Sequence, residues 1–164
     1  MFGETIWTTG SGKKLQFTEV VDEIREFLKK PNTEIIVGAD SQKVRKKKTY
    51  AFVTVICCIE ERKGAHYYYY KVRKLPHRRL KNVGAILAWK MWIEQDDIAK
   101  TCLELLNNEI DVIGIPTHHD LGYHGKSKEH IAAITGVMKS FGYEPVIKPD
   151  AFVASGIANK YSKY

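Results

Sequence analysis

The run Ile35-Ile36-Val37-Gly38-Ala39 is apolar at every position and stops at Asp40-Ser41-Gln42. An unbroken apolar run of strand length reads as a buried strand. Buried strands of this kind build open α/β sheets, whose ligand sites lie outside the carboxyl ends of the strands. A second run, Val112-Ile113-Gly114-Ile115-Pro116, leads in the same way into His118-His119-Asp120. Two carboxylates delivered to one sheet end repel each other unless a cation sits between them. The pair therefore points to a divalent-metal site.

Periodicity supplies the remaining elements. Val20, Val21, Ile24, Phe27 and Leu28 recur at steps of three and four and predict a helix over 18–30, with Thr18 as its cap and Pro31-Asn32 as its stop. Residues 34–40, 49–60 and 65–74 read as three strands of a β-meander, joined by a basic turn at 43–48 and a turn at 61–64. Pro76 ends the meander, and 80–107 reads as a long helix. A buried strand over 111–116, a loop over 121–126, a helix over 127–141 stopped by Gly142, a strand over 143–147 and a short helix over 155–161 complete the order. Residues 1–15 read as an irregular lead-in. The expected architecture is α/β: one domain over 1–164, with a mixed five-stranded sheet (antiparallel meander plus two parallel strands) flanked by helices. Asp40 and Asp120 should lie side by side at adjacent strand ends.

Charge suggests what the metal acts on. Lys and Arg outnumber Asp and Glu by 26 to 19, and the excess is local: Arg45-Lys46-Lys47-Lys48, Arg62-Lys63, and the stretch from Lys71 through Lys81. Clustered cations favour a nucleic-acid partner, because they release counterions from a phosphate backbone. Cys57, Cys58 and Cys102 form no C-x-x-C pair, so buried reduced thiols and a cytoplasmic setting are expected. The N-terminus shows no signal-peptide pattern, and no apolar run is long enough to span a bilayer.

The long helix offers a third acid. Its apolar stripe runs Leu87, Met91, Ile98, Cys102, Leu105, and Glu94 falls inside it, whereas Asp96 and Asp97 fall off it. A carboxylate on a buried face is costly unless it is paired or metal-bound. Each acid also has an ordinary explanation: a salt bridge for Glu94, turn chemistry for Asp40 and Asp120, a helix cap for Asp150. Together these explanations weaken, because four acids would converge on one end of one sheet.

Gly38-Ala39-Asp40-Ser41-Gln42 resembles the strand-one motif of the YkuK-like family, a domain of unknown function with a ribonuclease H-like fold. His119-Asp120-Leu121-Gly122 with Gly125-Lys126-Ser127-Lys128, and Lys148-Pro149-Asp150-Ala151-Phe152 with Ala154-Ser155 and Ala158-Asn159-Lys160, carry the resemblance over nearly the whole chain. Ribonuclease H-like nucleases place acids at two strand ends, on the first long helix and on the last helix. The resemblance therefore implies Asp40, Glu94 and Asp120 as catalytic metal ligands. The family tends to have Asp where Asn159 stands. Asn159 would offer an uncharged carbonyl oxygen, with Asp150 compensating. One or two Mg²⁺ or Mn²⁺ ions would activate water for phosphodiester hydrolysis. Arg45, Lys46, Lys47, Lys48, Arg78, Arg79, Lys126 and Lys148 would grip the nucleic acid.

Rival chemistries are weaker. His118, His119 and His124 invite zinc, but adjacent residues rarely share a metal. Gly125-Lys126-Ser127 resembles the end of a phosphate-binding loop, yet Asp120 stands where that loop needs a glycine. Tyr67–Tyr70 should alternate between faces, and Trp89 and Trp92 lie off the Glu94 stripe. The remaining alternative is a ribonuclease H-like protein that binds nucleic acid without cutting it.

Overall fold

The computed structural model describes residues 2–163; Met1 and Tyr164, the outermost residues of the expected lead-in and domain, lie outside them. In chain order the elements are β1 (Ile6–Thr9), β2 (Lys14–Gln16), α1 (Phe17–Leu28), β3 (Thr33–Lys43), β4 (Tyr50–Glu60), β5 (Gly64–Lys74), α2 (Val83–Asn107), β6 (Pro116–His119), α3 (Ile131–Ser140) and β7 (Glu144–Val146). A π-helical segment, Val153–Ala158, runs directly into α4 (Asn159–Ser162). All strands join one mixed sheet in the order β2-β1-β5-β4-β3-β6-β7. The meander β3–β4–β5 is antiparallel, and β6 and β7 add in parallel beside β3.

The sheet therefore has seven strands, not five, and the segment read as an irregular lead-in supplies the difference. β1 pairs with β2 and extends the sheet beyond β5, anchored by Trp7, which is fully buried against Phe2, Phe17 and Tyr70. Helix α1 starts immediately after β2. Its cap is Gln16, not Thr18, and the Glu19 side chain accepts the Gln16 backbone N–H at 2.7 Å. Phe17, Val20, Val21, Ile24 and Phe27 pack against the sheet, each contributing on the order of 1.5–3 kcal/mol when fully buried.

The expected strand over 111–116 is a turn, and β6 begins where that prediction stopped. Asp111 Oδ1 accepts the Ile113 N–H at 2.9 Å, Ile115 N–H bonds to Val112 O at 3.1 Å, and Gly114 takes a φ of 72°. The Asp111 side chain imitates a backbone turn, which throws Ile113 into solvent at 86% exposure while Val112 and Ile115 stay in the core. Val112 and Ile115 are buried as expected, Ile113 is not, and the segment is not extended.

The two sheet faces are covered unequally. Helices α1 and α2 bury one face, with Val37, Ala39, Ile56, Cys58, Tyr68 and Tyr70 beneath them. On the other face the C-terminal segment packs over β3, β4 and β6, around Ile36, Val53, Val55 and Cys57. Gly38 permits this approach: a Cβ there would lie 2.8 Å from Val153 Cγ1 and 3.2 Å from the Ala154 nitrogen. Cys57, Cys58 and Cys102 are free and buried, the first two on opposite faces as alternation requires. Among the described residues, no helix is long and apolar enough to cross a membrane.

A carboxylate centre at the sheet end

Parallel pairing places Ala39 of β3 opposite His119 of β6. The next residues, Asp40 and Asp120, therefore emerge side by side. Adjacent residues of β3 then part to opposite faces. Asp40 shares the face of Ile36 and Gly38, and its Oδ2 accepts a hydrogen bond from Ser162 Oγ of α4 at 2.9 Å. Ser41 faces α2 and donates to Glu94 Oε1 at 2.5 Å. The C-terminal segment and α2 thus grip β3 from opposite sides, and Asp40, Glu94 and Asp120 arrive from three elements.

Burial and mutual repulsion dominate the electrostatics. Asp40 is 2% exposed, and its pKa is pushed up to about 7, first by loss of water, then by the Asp120 carboxylate and a hydrogen bond between the two carboxyls. Ser162 acts in the opposite direction, since its donated bond favours the ionised form. Glu94 is raised well above the usual carboxylate range by burial and then by Asp40, with Ser41 and Lys90 opposing. Asp120 is half-buried, and the Lys148 ammonium lies 2.6 Å from its Oδ1. Lys148 is held there because its backbone N–H bonds to Leu121 O at 2.8 Å.

The residues expected to complete a metal site lie at its margin. Asp150 is exposed and acts electrostatically on His118. Asn159 is half-buried, and its side-chain oxygen accepts from the Gln42 amide, one strand step beyond Ser41. The α4 side chain that reaches Asp40 is Ser162, not Asn159. The donor set consists of carboxylate oxygens, which suits a hard divalent cation and would be relieved by one. Among the described residues, no group of three or more His, Cys, Asp or Glu side chains is placed so that it could hold a metal ion.

The histidines are committed elsewhere. His119 is buried between Thr117 Oγ1, at 2.7 Å, and Gln95 Oε1, and burial drives its pKa down to about 3. His118, on the opposite face, accepts the Val153 N–H at 3.1 Å, with its pKa lowered to about 4 by burial. His124 is exposed in the loop after β6. The three do not converge as a zinc site would require.

The basic groups collect at the same end of the sheet. Lys43, Tyr50 and Lys74 form one row across β3, β4 and β5, three residues and about 10 Å beyond the Asp40 row. Arg45–Lys48 are exposed in the hairpin loop just past that row, and Arg78 and Arg79 are exposed between β5 and α2. Lys126 is exposed in the loop that follows Asp120.

Sequence reasoning missed Ser162, Gln95 and Asp97. Asp97, expected off the apolar stripe, is 7% exposed, and its pKa is raised to about 6 by burial. The buried face of α2 is wider than the stripe because it also reaches Tyr70 on β5, whose own pKa is raised by burial and then by Asp97. A charge-bearing Asp97 one turn from Glu94 was the available signal; nothing in local spacing marks Ser162.

The family model described as Ribonuclease H-like matches residues 19–163, and the chain belongs to that family. It is also 41% identical over 46 residues to "Uncharacterized protein YkuK" of Bacillus subtilis (strain 168), a match spanning 28% of this chain and 27% of that relative. No solved structure matches the chain.

Proposed function

We propose that this ribonuclease H-like domain is a divalent-metal-dependent nuclease that hydrolyses phosphodiester bonds in nucleic acid. One observation carries the reading: Asp40 and Asp120 meet at adjacent strand ends, and Glu94 of α2 lies within electrostatic reach of both, at the sheet end that also gathers the exposed basic loops. Asp40, Glu94 and Asp120 would hold Mg²⁺ or Mn²⁺, with the Asn159 oxygen or Asp150 as marginal donors. The ion would lower the pKa of a water and neutralise charge on the scissile phosphate. Ser41 and Ser162 orient Glu94 and Asp40 and favour their ionised forms. Lys148 holds Asp120 in register and lies within reach of an incoming phosphate. Arg45–Lys48, Arg78, Arg79 and Lys126 supply sequence-independent phosphate contacts. Buried, reduced cysteines fit a cytoplasmic setting.

A second reading, nucleic-acid binding without catalysis, is favoured by Asn159 in place of an acid and by the ion pair that already occupies Asp120. Cleavage of labelled RNA, DNA and hybrid substrates with Mn²⁺ or Mg²⁺ separates the two. The nuclease cuts at least one substrate, and Asp40→Asn abolishes cutting. Equal cleavage by both proteins removes the assignment, and binding without cleavage by either supports the second reading.

A further inference from the structure

The C-terminal segment covers β3, β4 and β6 and meets β5 only at Tyr67 and Tyr69, through Tyr161, leaving the same face of β5 at Lys71 and Arg73 to reach solvent. Register and alternation identify what that open face carries. Asp40 pairs with Val53 and Val53 with Lys71; Gln42 pairs with Ala51 and Ala51 with Arg73. Lys71 and Arg73 therefore share the face of Asp40, two strand spacings and about 10 Å away. One row further, Tyr69 pairs with Thr8 and Thr8 with Lys14, whose Nζ donates to Thr8 Oγ1 at 3.0 Å. Across this face of β4, β5, β1 and β2 the only charged residues are Lys14, Lys71 and Arg73. Among the described residues none of the three forms an ion pair. Lys71 has its pKa lowered by burial and then by Arg73, as expected of two cations side by side without an acid between them.

Aromatic rings form one wall of this strip. Tyr69 stacks on Tyr161 at 3.9 Å and 16°, Tyr67 and Tyr161 share a hydroxyl hydrogen bond at 2.6 Å, and Lys160 lies 5.3 Å from the Tyr161 ring centre. The rings are occupied by one another and by Lys160, so the strip reads charge and not bases. We infer that this strip is a phosphate track that leads single-stranded nucleic acid across the sheet face to the Asp40 end. Lys71 and Arg73 follow one another along β5, about 7 Å apart, and Lys14 stands two strands away on β2, one narrow line of cations that suits one backbone and not the two of a duplex. The inference rests on the nucleic-acid reading above and adds a contact surface distinct from the basic loops.

The test is salt-dependent binding of labelled 20-nucleotide single strands by fluorescence anisotropy, comparing wild type with Lys71→Gln/Arg73→Gln. Both side chains reach solvent, and a thermal melt confirms that the variant is folded. Losing two phosphate contacts should flatten the slope of log K against log salt by about 1.4, from roughly 0.7 per contact on a single strand. Between 50 and 200 mM salt, wild-type affinity should then fall about sevenfold further than that of the variant. Wild-type binding with an unchanged slope in the variant overturns the track and leaves the proposed function standing. A slope change seen only with duplex, or equally with polyglutamate, overturns single-stranded nucleic acid as the occupant. No binding of any oligonucleotide by wild type removes the proposed function and this inference together.

Discussion

Replacing Asp40 by Asn should stabilise the metal-free protein, and should do so only above mildly acidic pH. The Asp40 carboxyl moves from 3.8 to about 7 on folding because it is buried and faces Asp120. The unfolded chain therefore releases this proton at lower pH than the folded one, and stability falls as pH rises from about 4 to about 7, then levels. A rise of that size corresponds to about 4 kcal/mol lost at pH 8 relative to pH 4, from 1.36 kcal/mol per pKa unit. Asparagine keeps the shape and cannot ionise. It also removes one of the charges that raise Glu94. For a domain of this size about 4 kcal/mol corresponds to roughly 10 °C in Tm. Thermal melts in EDTA at pH 5 and pH 8 are the assay. Wild type should lose Tm between these pH values, Asp40→Asn should lose much less, and Mn²⁺ at pH 8 should raise Tm in wild type alone. Parallel pH profiles for the two proteins would refute the reasoning, because Asp40 would then ionise without strain.

Three further outcomes follow from the same geometry. Ser162→Ala deletes the hydroxyl that bonds Asp40 Oδ2 at 2.9 Å; the loss should be about 1–3 kcal/mol at pH 8 and smaller at pH 5, read from urea midpoints at both pH values. Gly38→Ala puts a methyl 2.8 Å from Val153 Cγ1 and close to the Ala154 backbone; it should cost about 1–3 kcal/mol, and an unchanged denaturant midpoint would show that the C-terminal segment is not seated on β3. Lys148→Met removes the ammonium 2.6 Å from Asp120; half-maximal stabilisation by Mn²⁺ should shift to several-fold lower concentration, whereas a shift upward would mean that Lys148 assists the cation.

Local periodicity determined the faces. The run at 35–39 marked β3, alternation divided the four tyrosines between two faces, of which Tyr68 and Tyr70 form the buried pair, and the stripe on α2 marked Glu94 as buried. These features repeat every two or 3.6 residues, so a window of a dozen residues contains them. The order of elements and the positions of the strand ends were enough to set Asp40 beside Asp120. Pairings between distant segments were decided by the tertiary structure. β1 and β2 are four and three residues long, too short to show a period, and they are strands because β5 offers an edge and the core takes Trp7. Asp111 turned an apolar run into a turn, so β6 starts five residues late. Asp97 is buried because α2 also lies against β5, and Ser162 meets Asp40 across 122 residues. A contact of that span is set by how the C-terminal segment docks on Gly38, and docking depends on shapes that exist only once the sheet has formed.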